Sequence, residues 1–320
     1  MADAAMSADD VAFPTLGDVD LATLRRFGRV ESVEQGRVLQ RAGDVPRDFH
    51  AVVSGSIDVV VRIDGREQVL RRHQRGGFLG ELSLLTGQRT YVEARMAEAG
   101  ELIVVPQVNV IPIPDSLSFE DAASVPLVFL TAWHMLTGRA ALRPGLTVLV
   151  LGGNSGVGIA AIQVCKLFNA TVIATAGNEK KMERSRALGA DHVVHHYKQK
   201  ISEEVKRITG GAGVDIVVEH VGKSTWDESV KSLKPAGTLV TCGATTGPDV
   251  GIDLRFVYSR QLSILGSYMG TMGELHQVLK HVFTGELKPV VDSVFALKDA
   301  RAAHEHMEKS EMFGKIVLKP

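Results

Sequence analysis

Two rhythms of apolar and polar positions divide the chain near Pro106. Residues 28–105 carry short apolar runs that are broken by glycine and other turn signals at intervals of roughly 8–12 residues, which is typical of a small antiparallel sandwich or barrel. A helix over about residues 18–27 precedes these runs. Asp64-Gly65 has the composition of a hairpin turn, because glycine accepts the positive φ that such turns require. The first third of the chain is therefore predicted to be a β-barrel.

From residue 146 onwards, continuous apolar runs alternate with amphipathic stretches. Such runs indicate strands buried on both faces, and the stretches between them indicate helices that cover a parallel sheet. The predicted strands are residues 146–151, 171–175, 192–194, 214–218, 237–242 and 262–266. The predicted helices are residues 119–137, 156–168, 178–188, 200–208, 224–233 and 273–284. The tail, residues 287–320, is expected to add a strand, a helix and a last strand. The fold class is therefore α/β, a doubly wound parallel sheet preceded by a small jelly-roll β-barrel.

A glycine-rich turn, GNSGVG at residues 153–158, joins the first of these strands to its helix. Such a turn is where a dinucleotide pyrophosphate binds in a Rossmann fold, because free N–H groups and the helix dipole favour negative charge. The strict G-x-G-x-x-G spacing is not met, since Ser155 stands at the second glycine, but Gly156 beside it can serve the same close approach. The alternative is a strand-to-helix turn without a ligand.

The end of the second strand predicts which nucleotide binds. NAD-selective folds usually place Asp or Glu there, about 20 residues past the glycines, to hold the ribose diol. Here the strand ends in Ala176-Gly177-Asn178, and Lys180 and Lys181 follow. Either lysine can meet a 2′-phosphate, so the sequence favours NADP(H) over NAD(H). The alternative is that the two lysines only keep a surface helix soluble.

Residues 107–320 resemble the cofactor-binding portion of the medium-chain dehydrogenase/reductase superfamily, in its zinc-independent, quinone-reductase-like branch. The matching passages include SFEDAASVPLVFLTAWHML, VLVLGGNSGVGIAAIQVCKLFNATVIATAG, ALGADHVV, VDIVVEHVG, GTLVTCGATTG, LSILGSYMG and FGKIVL. The resemblance implies an NADP(H)-dependent oxidoreductase that transfers a hydride to a quinone, enone or related carbonyl compound without zinc. No catalytic residue follows from it, and none of the GroES-like domain that the family carries is visible in the sequence.

The resemblance also assigns cofactor contacts. Asn154, Ser155, Gly156 and Val157 would bind the pyrophosphate; Gly177 and Lys181 would lie at the 2′-phosphate; Val221 would flank the adenine-side ribose; Cys242, Gly243, Ala244, Leu265 and Ser267 would lie along the nicotinamide; and Thr131 would lie near its ring. His196 stands where many NADPH-using relatives have tyrosine, and the adjacent Tyr197 is a candidate substitute. No Cys/His set has metal-ligand spacing, and His192, His195 and His196 are expected to form a surface cluster.

Residues 16–106 resemble a cyclic-nucleotide-binding domain of the catabolite-activator type, through the segment GGFLGELSLLTGQRTYVEARMAEAGEL. The resemblance implies that Gly80 and Glu81, then Arg89 and Thr90, would hold a cyclic nucleotide: the acid binds the ribose hydroxyl and the arginine pairs with the phosphate. Tyr91 departs from the family, which usually has a small residue there. The alternative is a barrel retained for folding or dimerisation without a ligand.

Composition restricts the partners. The 320 residues suit two domains, and a net charge of −1 provides no basic excess to neutralise nucleic-acid phosphates. Two cysteines, Cys165 and Cys242, cannot form a disulfide framework, which favours a reducing cytoplasm. The N-terminus has no secretory pattern, and no apolar run reaches the roughly 20 residues that span a bilayer. We expect a cytoplasmic protein without nucleic-acid or membrane partners.

Three domain ranges and three functional hypotheses follow. Residues 1–15 are expected to be disordered, residues 16–106 to form the barrel, and residues 107–320 to form the cofactor-binding domain with its tail. The first hypothesis is a reductase of a small-molecule substrate. The resemblance also implies a homodimer, because the edge strand around LSILGSYMG pairs across a two-fold axis in many relatives. The second hypothesis is a nucleotide-sensing protein with weak or no catalysis, and the third is a fusion whose parts survive only as folds.

Overall fold

The structure is a computed structural model, and it describes residues 15–45, 48–63, 66–80, 89–90, 92–106 and 109–319. The chain divides into two compact units, residues 1–112 and 113–320, each with an apolar core of its own. None of the helices in the described ranges has the length and apolar character needed to span a membrane.

The first unit is a sandwich of two antiparallel sheets. Its strands are β1 (Arg29–Val33), β2 (Val38–Gln40), β3 (Asp48–Val52), β4 (Ser56–Ile63), β5 (Arg66–His73), β6 (Phe78–Leu79), β7 (Glu93–Glu98) and β8 (Gly100–Pro106). One sheet has the order β1-β8-β3-β6 and the other β2-β7-β4-β5. Val52 and Leu102 of one sheet meet Ile57 and Met96 of the other in the core. The predicted small jelly-roll domain is confirmed.

Strand β3 contributes to two apolar clusters, because side chains alternate between the faces of a strand. Val52 points into the sandwich, whereas Phe49 and Ala51 pack against Leu21 of helix α1 (Asp18–Leu24) on the outer face. The predicted helix at 18–27 is present, although it ends earlier than expected.

The hairpin predicted at Asp64-Gly65 has its two turn residues outside the described residues. The strands on either side do pair antiparallel, with Ile63 opposite Arg66.

The second unit contains a six-stranded parallel sheet. Its strands are β9 (Thr147–Val150), β10 (Thr171–Ala176), β11 (His192–His195), β12 (Val214–Glu219), β13 (Leu233–Thr241) and β14 (Ser263–Gly266). They have the order β11-β10-β9-β12-β13-β14. The order reverses between β9 and β12, and in such sheets the crevice at that point holds the dinucleotide. The doubly wound Rossmann sheet predicted from the sequence is confirmed.

The helices of this unit pack against the six-stranded sheet, against the strands of the tail or against one another. They are α2 (Phe119–Ser124), α3 (Pro126–Trp133), α4 (Gly156–Leu167), α5 (Glu179–Ala187), α6 (Ile201–Ile208), α7 (Trp226–Ser232), α8 (Leu254–Ser259), α9 (Met272–Phe283) and α10 (Ala300–Glu308). The single helix predicted over 119–137 is wrong in one respect: Pro126 lacks a backbone N–H and begins a new helix. A π-helical segment, His134–Arg139, then continues α3.

The tail folds as the predicted strand, helix and strand. β15 (Val291–Ala296) and β16 (Lys315–Lys319) pair in parallel, and α10 lies between them in sequence. The Lys319 ammonium lies 2.7 Å from a Glu120 carboxylate oxygen, which ties the last strand to α2.

Candidate functional site

The glycine-rich turn lies where β9 ends, at the carboxyl edge of the sheet. Gly152 has a φ of +56°, a conformation that L side chains rarely adopt. At Gly158, a Cβ atom would lie 2.2 Å from the Gly152 carbonyl oxygen, so only glycine lets α4 begin this close to the strand. The Ser155 hydroxyl accepts a hydrogen bond of 2.9 Å from the Gly158 N–H and caps the helix. The first-turn amides of Gly156 and Val157 have no intrahelical partner and are available to an anion.

His220 lies over this turn from the end of β12. Its Nε2 lies 2.8 Å from the Leu151 carbonyl oxygen and 3.3 Å from the Ser155 hydroxyl oxygen. A Cβ atom on Gly152 would lie 3.1 Å from the imidazole Cε1. Burial lowers the pKa of His220, so the ring is neutral at physiological pH and Nε2–H donates to the carbonyl. Sequence reasoning missed this residue, because its role depends on a neighbouring strand.

A cavity of about 520 Å³ opens beside the turn, and we name it the adenosine-side cavity after the sequence prediction for His196 and Val221. Its lining consists of Gly152, Thr175, His196, Tyr197, Gln199, Lys200, Ile201, Val221, Ser224, Thr225, Glu228 and Thr246. Two predicted cofactor residues, His196 and Val221, are thus brought to one cavity. At Gly177, a Cβ atom would lie 2.8 Å from Tyr197 Cε2 and 3.2 Å from His196 Nε2, so both rings approach the tip of β10.

Lys181 lies near this tip but makes an internal contact. Its ammonium donates a hydrogen bond to the Ser310 carbonyl in the tail, and its side chain is buried. Burial lowers the pKa of Lys181, while Asp292 and Glu311 act in the opposite direction. Burial, with the nearby charges of His195 and Lys181, also lowers the pKa of His196. The 2′-phosphate role of Lys181 stays a prediction, and the neighbouring Lys180 is exposed.

A cavity of about 550 Å³ lies at the ends of β13 and β14, and we name it the nicotinamide-side cavity after the sequence prediction for Cys242 to Ala244 and Ser267. Its lining consists of Gly222, Trp226, Thr241, Cys242, Gly243, Ala244, Gly247, Pro248, Val250, Gly266, Ser267 and Tyr268. Four predicted residues, Cys242 to Ala244 and Ser267, therefore converge. The described lining does not include Leu265, which pairs with Val240 in the sheet, or Thr131, whose hydroxyl donates to the Leu127 carbonyl at 2.7 Å.

Cys242 carries the thiol in this cavity. Burial, reinforced by the negative charge of Glu219, raises the pKa of Cys242 to about 11. The side chain is therefore a neutral thiol at physiological pH, and it is a poor nucleophile because the thiolate is the reactive form.

The tail crosses the glycine-rich turn. The Gly314 N–H donates to the Asn154 carbonyl at 3.0 Å, and the Asn154 amide lies 3.4 Å from the Met312 carbonyl oxygen. At Gly156, a Cβ atom would lie 2.8 Å from Lys315 Cδ, so the lysine stem passes over the start of α4. Lys315 thus adds a cation near the predicted pyrophosphate position. The residue stands in the FGKIVL passage, but nothing in its local sequence indicates this contact.

The residues predicted to bind a cyclic nucleotide are described in part. Glu81 lies outside the described residues. Gly80 has a φ of +110°, and a Cβ atom there would lie 2.8 Å from the Asp48 carbonyl oxygen. Arg89 donates to the Gly43 carbonyl at 2.8 Å, and the Thr90 N–H donates to the Asp44 carbonyl at 2.9 Å.

A polar cavity of about 320 Å³ lies in the same unit, next to the turn that Arg89 and Thr90 contact. Its lining consists of Arg29, Glu31, Arg37, Val38, Leu39, Gln40, Asp44, Val45, Asp48 and His50. The charges there have both signs, and Arg29 pairs with Glu31 at 2.6 Å. A ligand of this cavity would meet cations and carboxylates together.

The histidines do not form the expected surface cluster. His192 is exposed, but His195, the last residue of β11, is only 6% exposed. Within the ranges that the structure describes, no group of three His, Cys, Asp or Glu side chains could hold a metal ion.

Two known families match the chain. The zinc-binding dehydrogenase family matches residues 156–284, and the cyclic nucleotide-binding domain matches residues 30–113. A quinone oxidoreductase of Salmonella typhimurium is 34% identical over 220 residues, which cover 65% of this chain and 67% of the relative. A 2-haloacrylate reductase of a Burkholderia species is 31% identical over 67% of this chain and 68% of its own length.

Solved structures agree with the sequence matches. A crystal structure of an NAD-dependent alcohol dehydrogenase superposes with a TM-score of 0.67 and 31% identity, covering 89% of this chain and 99% of the other. The crystal structure of AibC superposes with a TM-score of 0.63 and 35% identity, covering 69% of this chain and 66% of the other. The α/β fold with its dinucleotide-type crevice is thus shared with oxidoreductases.

Proposed function

The chain belongs to the zinc-binding dehydrogenase family of medium-chain dehydrogenases/reductases, and from that premise we propose that it is an NADP(H)-dependent oxidoreductase. Its reaction is the transfer of a hydride to a quinone, enone or related carbonyl compound, and it uses no zinc. One observation carries the proposal: a cavity of about 520 Å³ beside the glycine-rich turn and a cavity of about 550 Å³ at the ends of β13 and β14 share the loop after β12 as a wall, since Val221 lines the first and Gly222 the second. A dinucleotide has the matching form, with two nucleoside ends on either side of a pyrophosphate.

The residues have separate tasks in this reaction. The nicotinamide, when bound, supplies the hydride. The free amides of Gly156 and Val157, together with the helix dipole, bind the pyrophosphate, and Lys315 adds positive charge. The nicotinamide-side cavity has largely apolar walls, including Val250 and Trp226, against which an apolar substrate can pack.

The state of Cys242 suits electrophilic substrates. An enone in the nicotinamide-side cavity would meet this thiol, and a thiolate would add to it. Because burial keeps the thiol neutral, reduction by the cofactor competes well with alkylation of the protein. The name of one relative, 2-haloacrylate reductase, indicates an electrophilic substrate of this kind.

We propose NADP(H) as the preferred cofactor because the tip of β10 carries no carboxylate. Asn178 there caps α5 through its side chain, which accepts a hydrogen bond from the Lys181 N–H. Lys180 is exposed beside it, and Lys181 can reach a 2′-phosphate if its ammonium leaves Ser310. A similar solved structure is described as NAD-dependent, so both cofactors belong in the test.

We further propose a homodimer in a reducing cytoplasm. Strand β14 is at the edge of the sheet, and Tyr268 and Tyr258 near it are 90% and 69% exposed. An edge strand flanked by exposed aromatic residues favours pairing with a second copy. Both cysteines are free, as a reducing compartment requires.

A second candidate function is a nucleotide sensor with weak catalysis. The match to the cyclic nucleotide-binding domain over residues 30–113 favours it, with Arg89 and Thr90 beside the polar cavity of the first unit. Cyclic-nucleotide binding to the barrel would then regulate the reductase, or it would be the main function of a protein with weak or no catalysis. Retention of the barrel for folding or dimerisation alone is the remaining alternative.

One titration series separates these functions. The purified chain is titrated with NADPH, NADH, cAMP and cGMP, and the tightest dinucleotide is then assayed with a panel of quinones, enones and aldehydes. NADPH oxidation with at least one substrate class is the result expected of the reductase. Tight dinucleotide binding without turnover on any substrate would contradict it, and tight cyclic-nucleotide binding in that case would favour the sensor.

A further inference from the structure

Glu219, the last residue of β12, is a carboxylate with no exposed surface. It lies between the two cavities but lines neither of them. A charge in such a position is tolerated only when hydrogen bonds replace its lost hydration. The groups that supply these bonds therefore indicate what Glu219 does.

Two of the donors are backbone amides of the loop that follows. The Val221 N–H and the Gly222 N–H donate to Glu219 Oε1 at 2.7 and 3.0 Å. Thr225 donates its hydroxyl to the same carboxylate, with distances of 3.1 and 3.0 Å to the two oxygens. Ser229, buried on α7, donates to Oε2 at 2.5 Å. One side chain thus joins the loop to the helix that supports it.

The loop held in this way forms a wall of each cavity. Val221 lines the adenosine-side cavity, and its carbonyl accepts a 2.7 Å bond from the Thr246 N–H on the facing loop. Gly222 lines the nicotinamide-side cavity with a φ of +91°, and a Cβ atom there would lie 2.9 Å from Ala244 Cα. Any shift of the two amides would therefore alter both cavities.

We propose that Glu219 is a positioning residue for the cofactor: by accepting the Val221 and Gly222 N–H groups it holds the walls of both cavities at the spacing that a nicotinamide dinucleotide requires. This inference rests on the proposed function. Glu219 touches no reacting atom, so its loss should raise the Kd and the KM of the cofactor while kcat changes little.

The chain offers a matched set of variants. Glu219→Gln keeps an oxygen for the two amides, and the Thr225 and Ser229 hydroxyls can accept from its NH₂ group. Glu219→Ala removes every acceptor. Ser229→Ala weakens the support from a buried position that touches neither cavity. Ser232→Ala is its control, because Ser232 is equally buried on α7 but donates to the Glu228 carbonyl at 2.6 Å.

The experiment measures NADPH and NADH binding, steady-state kinetics and thermal unfolding for the parent and the four variants. We expect the Kd of the cofactor to rise by about tenfold or more in Glu219→Ala, with a smaller rise in Ser229→Ala. Glu219→Gln should remain within about threefold of the parent, which is the rescue expected of a hydrogen-bond acceptor. Ser232→Ala should match the parent in cofactor binding even where its Tm falls.

Three results would overturn the inference. Folded Glu219→Ala and Ser229→Ala proteins that bind the cofactor as tightly as the parent would show that the loop needs no such support. An equal loss of affinity in Ser232→Ala would reduce the effect to general destabilisation of α7. If Glu219→Ala does not fold, unchanged cofactor binding by Ser229→Ala would contradict the inference.

Hydrogen exchange without cofactor separates this inference from the proposed function. The backbone amides of residues 219–225 should be protected from exchange in the parent, and they should lose protection in Glu219→Ala and Ser229→Ala. If the parent shows this protection but binds no dinucleotide, both the proposed function and the role of Glu219 in cofactor binding are contradicted. If the parent binds NADPH and Glu219→Ala and Ser229→Ala bind it equally well, only the role of Glu219 is contradicted.

Discussion

The Gly314 N–H donates a 3.0 Å hydrogen bond to the carbonyl of Asn154, which fastens the last strand of the chain to the glycine-rich turn. Gly314 has a φ of +112°, and a Cβ atom there would lie 2.3 Å from the Val290 carbonyl oxygen. The turn that we assign to the pyrophosphate is therefore shaped partly by a residue at the far end of the chain.

Gly314→Ala should disturb both stability and cofactor binding. The methyl group meets backbone at the start of β15 in a conformation that favours glycine, so we expect a loss of about 1–3 kcal/mol in the free energy of unfolding. The Kd for NADPH should rise as well, because the tail no longer seats on Asn154. Denaturant unfolding and fluorescence titration measure the two effects. Gly285→Ala is the control: it also has positive φ, at +78°, but no atom lies within 4 Å of its Cβ position, so it should cost stability alone.

Lys315→Ala should weaken both dinucleotides alike. The stem of Lys315 crosses Gly156 at the start of α4, and both cofactors carry the same pyrophosphate. Loss of one cation near it should raise the Kd for NADPH and NADH by about fivefold to tenfold, and the effect should shrink at high salt. Equal affinities for the variant and the parent at low salt would contradict this assignment.

Lys181→Met should change cofactor preference rather than overall affinity. If its ammonium leaves the Ser310 carbonyl for the 2′-phosphate, the variant should lose about tenfold in NADPH affinity and keep its NADH affinity. Lys180→Met, the exposed neighbour, is the matched comparison. An equal loss for both cofactors in Lys181→Met would instead show that the side chain serves only to hold the tail.

His220 should make the stability of the second unit depend on pH. Burial holds its folded-state pKa below the ordinary value of 6.5, so the unfolded chain binds a proton more readily. The contribution of a neutral His220 is complete above about pH 6.5 and is lost progressively as the pH falls from there towards the lowered pKa. Urea unfolding between about pH 5 and 8, on either side of the ordinary histidine pKa of roughly 6.5, measures this loss of stability. The free energy of unfolding should fall less with decreasing pH in His220→Gln than in the parent. A parallel pH profile for the parent and the variant would rule the histidine out as its source.

Cys242 should react slowly with alkylating reagents at neutral pH. Its pKa of about 11 leaves little thiolate, so the rate of iodoacetamide labelling should climb through the alkaline range, and NADPH should protect the thiol that lines its cavity. Cys165, which is fully buried with a raised pKa, should stay unlabelled in the folded protein and serves as the internal control. Peptide mass spectrometry follows the two residues separately, and fast labelling of Cys242 at pH 7 would contradict the neutral thiol.

Local patterns were enough to predict the elements and the first level of the site. Continuous apolar runs identified the strands of the parallel sheet, and the GNSGVG sequence identified the turn at which α4 begins. The single helix expected over 119–137 failed because Pro126 breaks the hydrogen-bond ladder inside an apolar stretch that otherwise has helical spacing. The surface reading of the histidines failed at His195, because a short strand gave no sign of which face would be covered.

The sequence by itself determined the alternation of strands and helices and the change of apolar pattern near Pro106. It also determined the position of the glycine-rich turn. Each of these features depends on residues that are neighbours along the chain. Only the tertiary structure decided which side chains contact the glycine-rich turn and the loop after β12. His220 contacts the Leu151 carbonyl after β9, and Glu219 accepts from the loop that follows β12. Lys315 reaches from the tail to Gly156 at the start of α4, and Lys181 donates to Ser310 in the tail. Such contacts arise when the sheet order and the returning tail bring distant segments together, and no local periodicity records which distant partner will arrive.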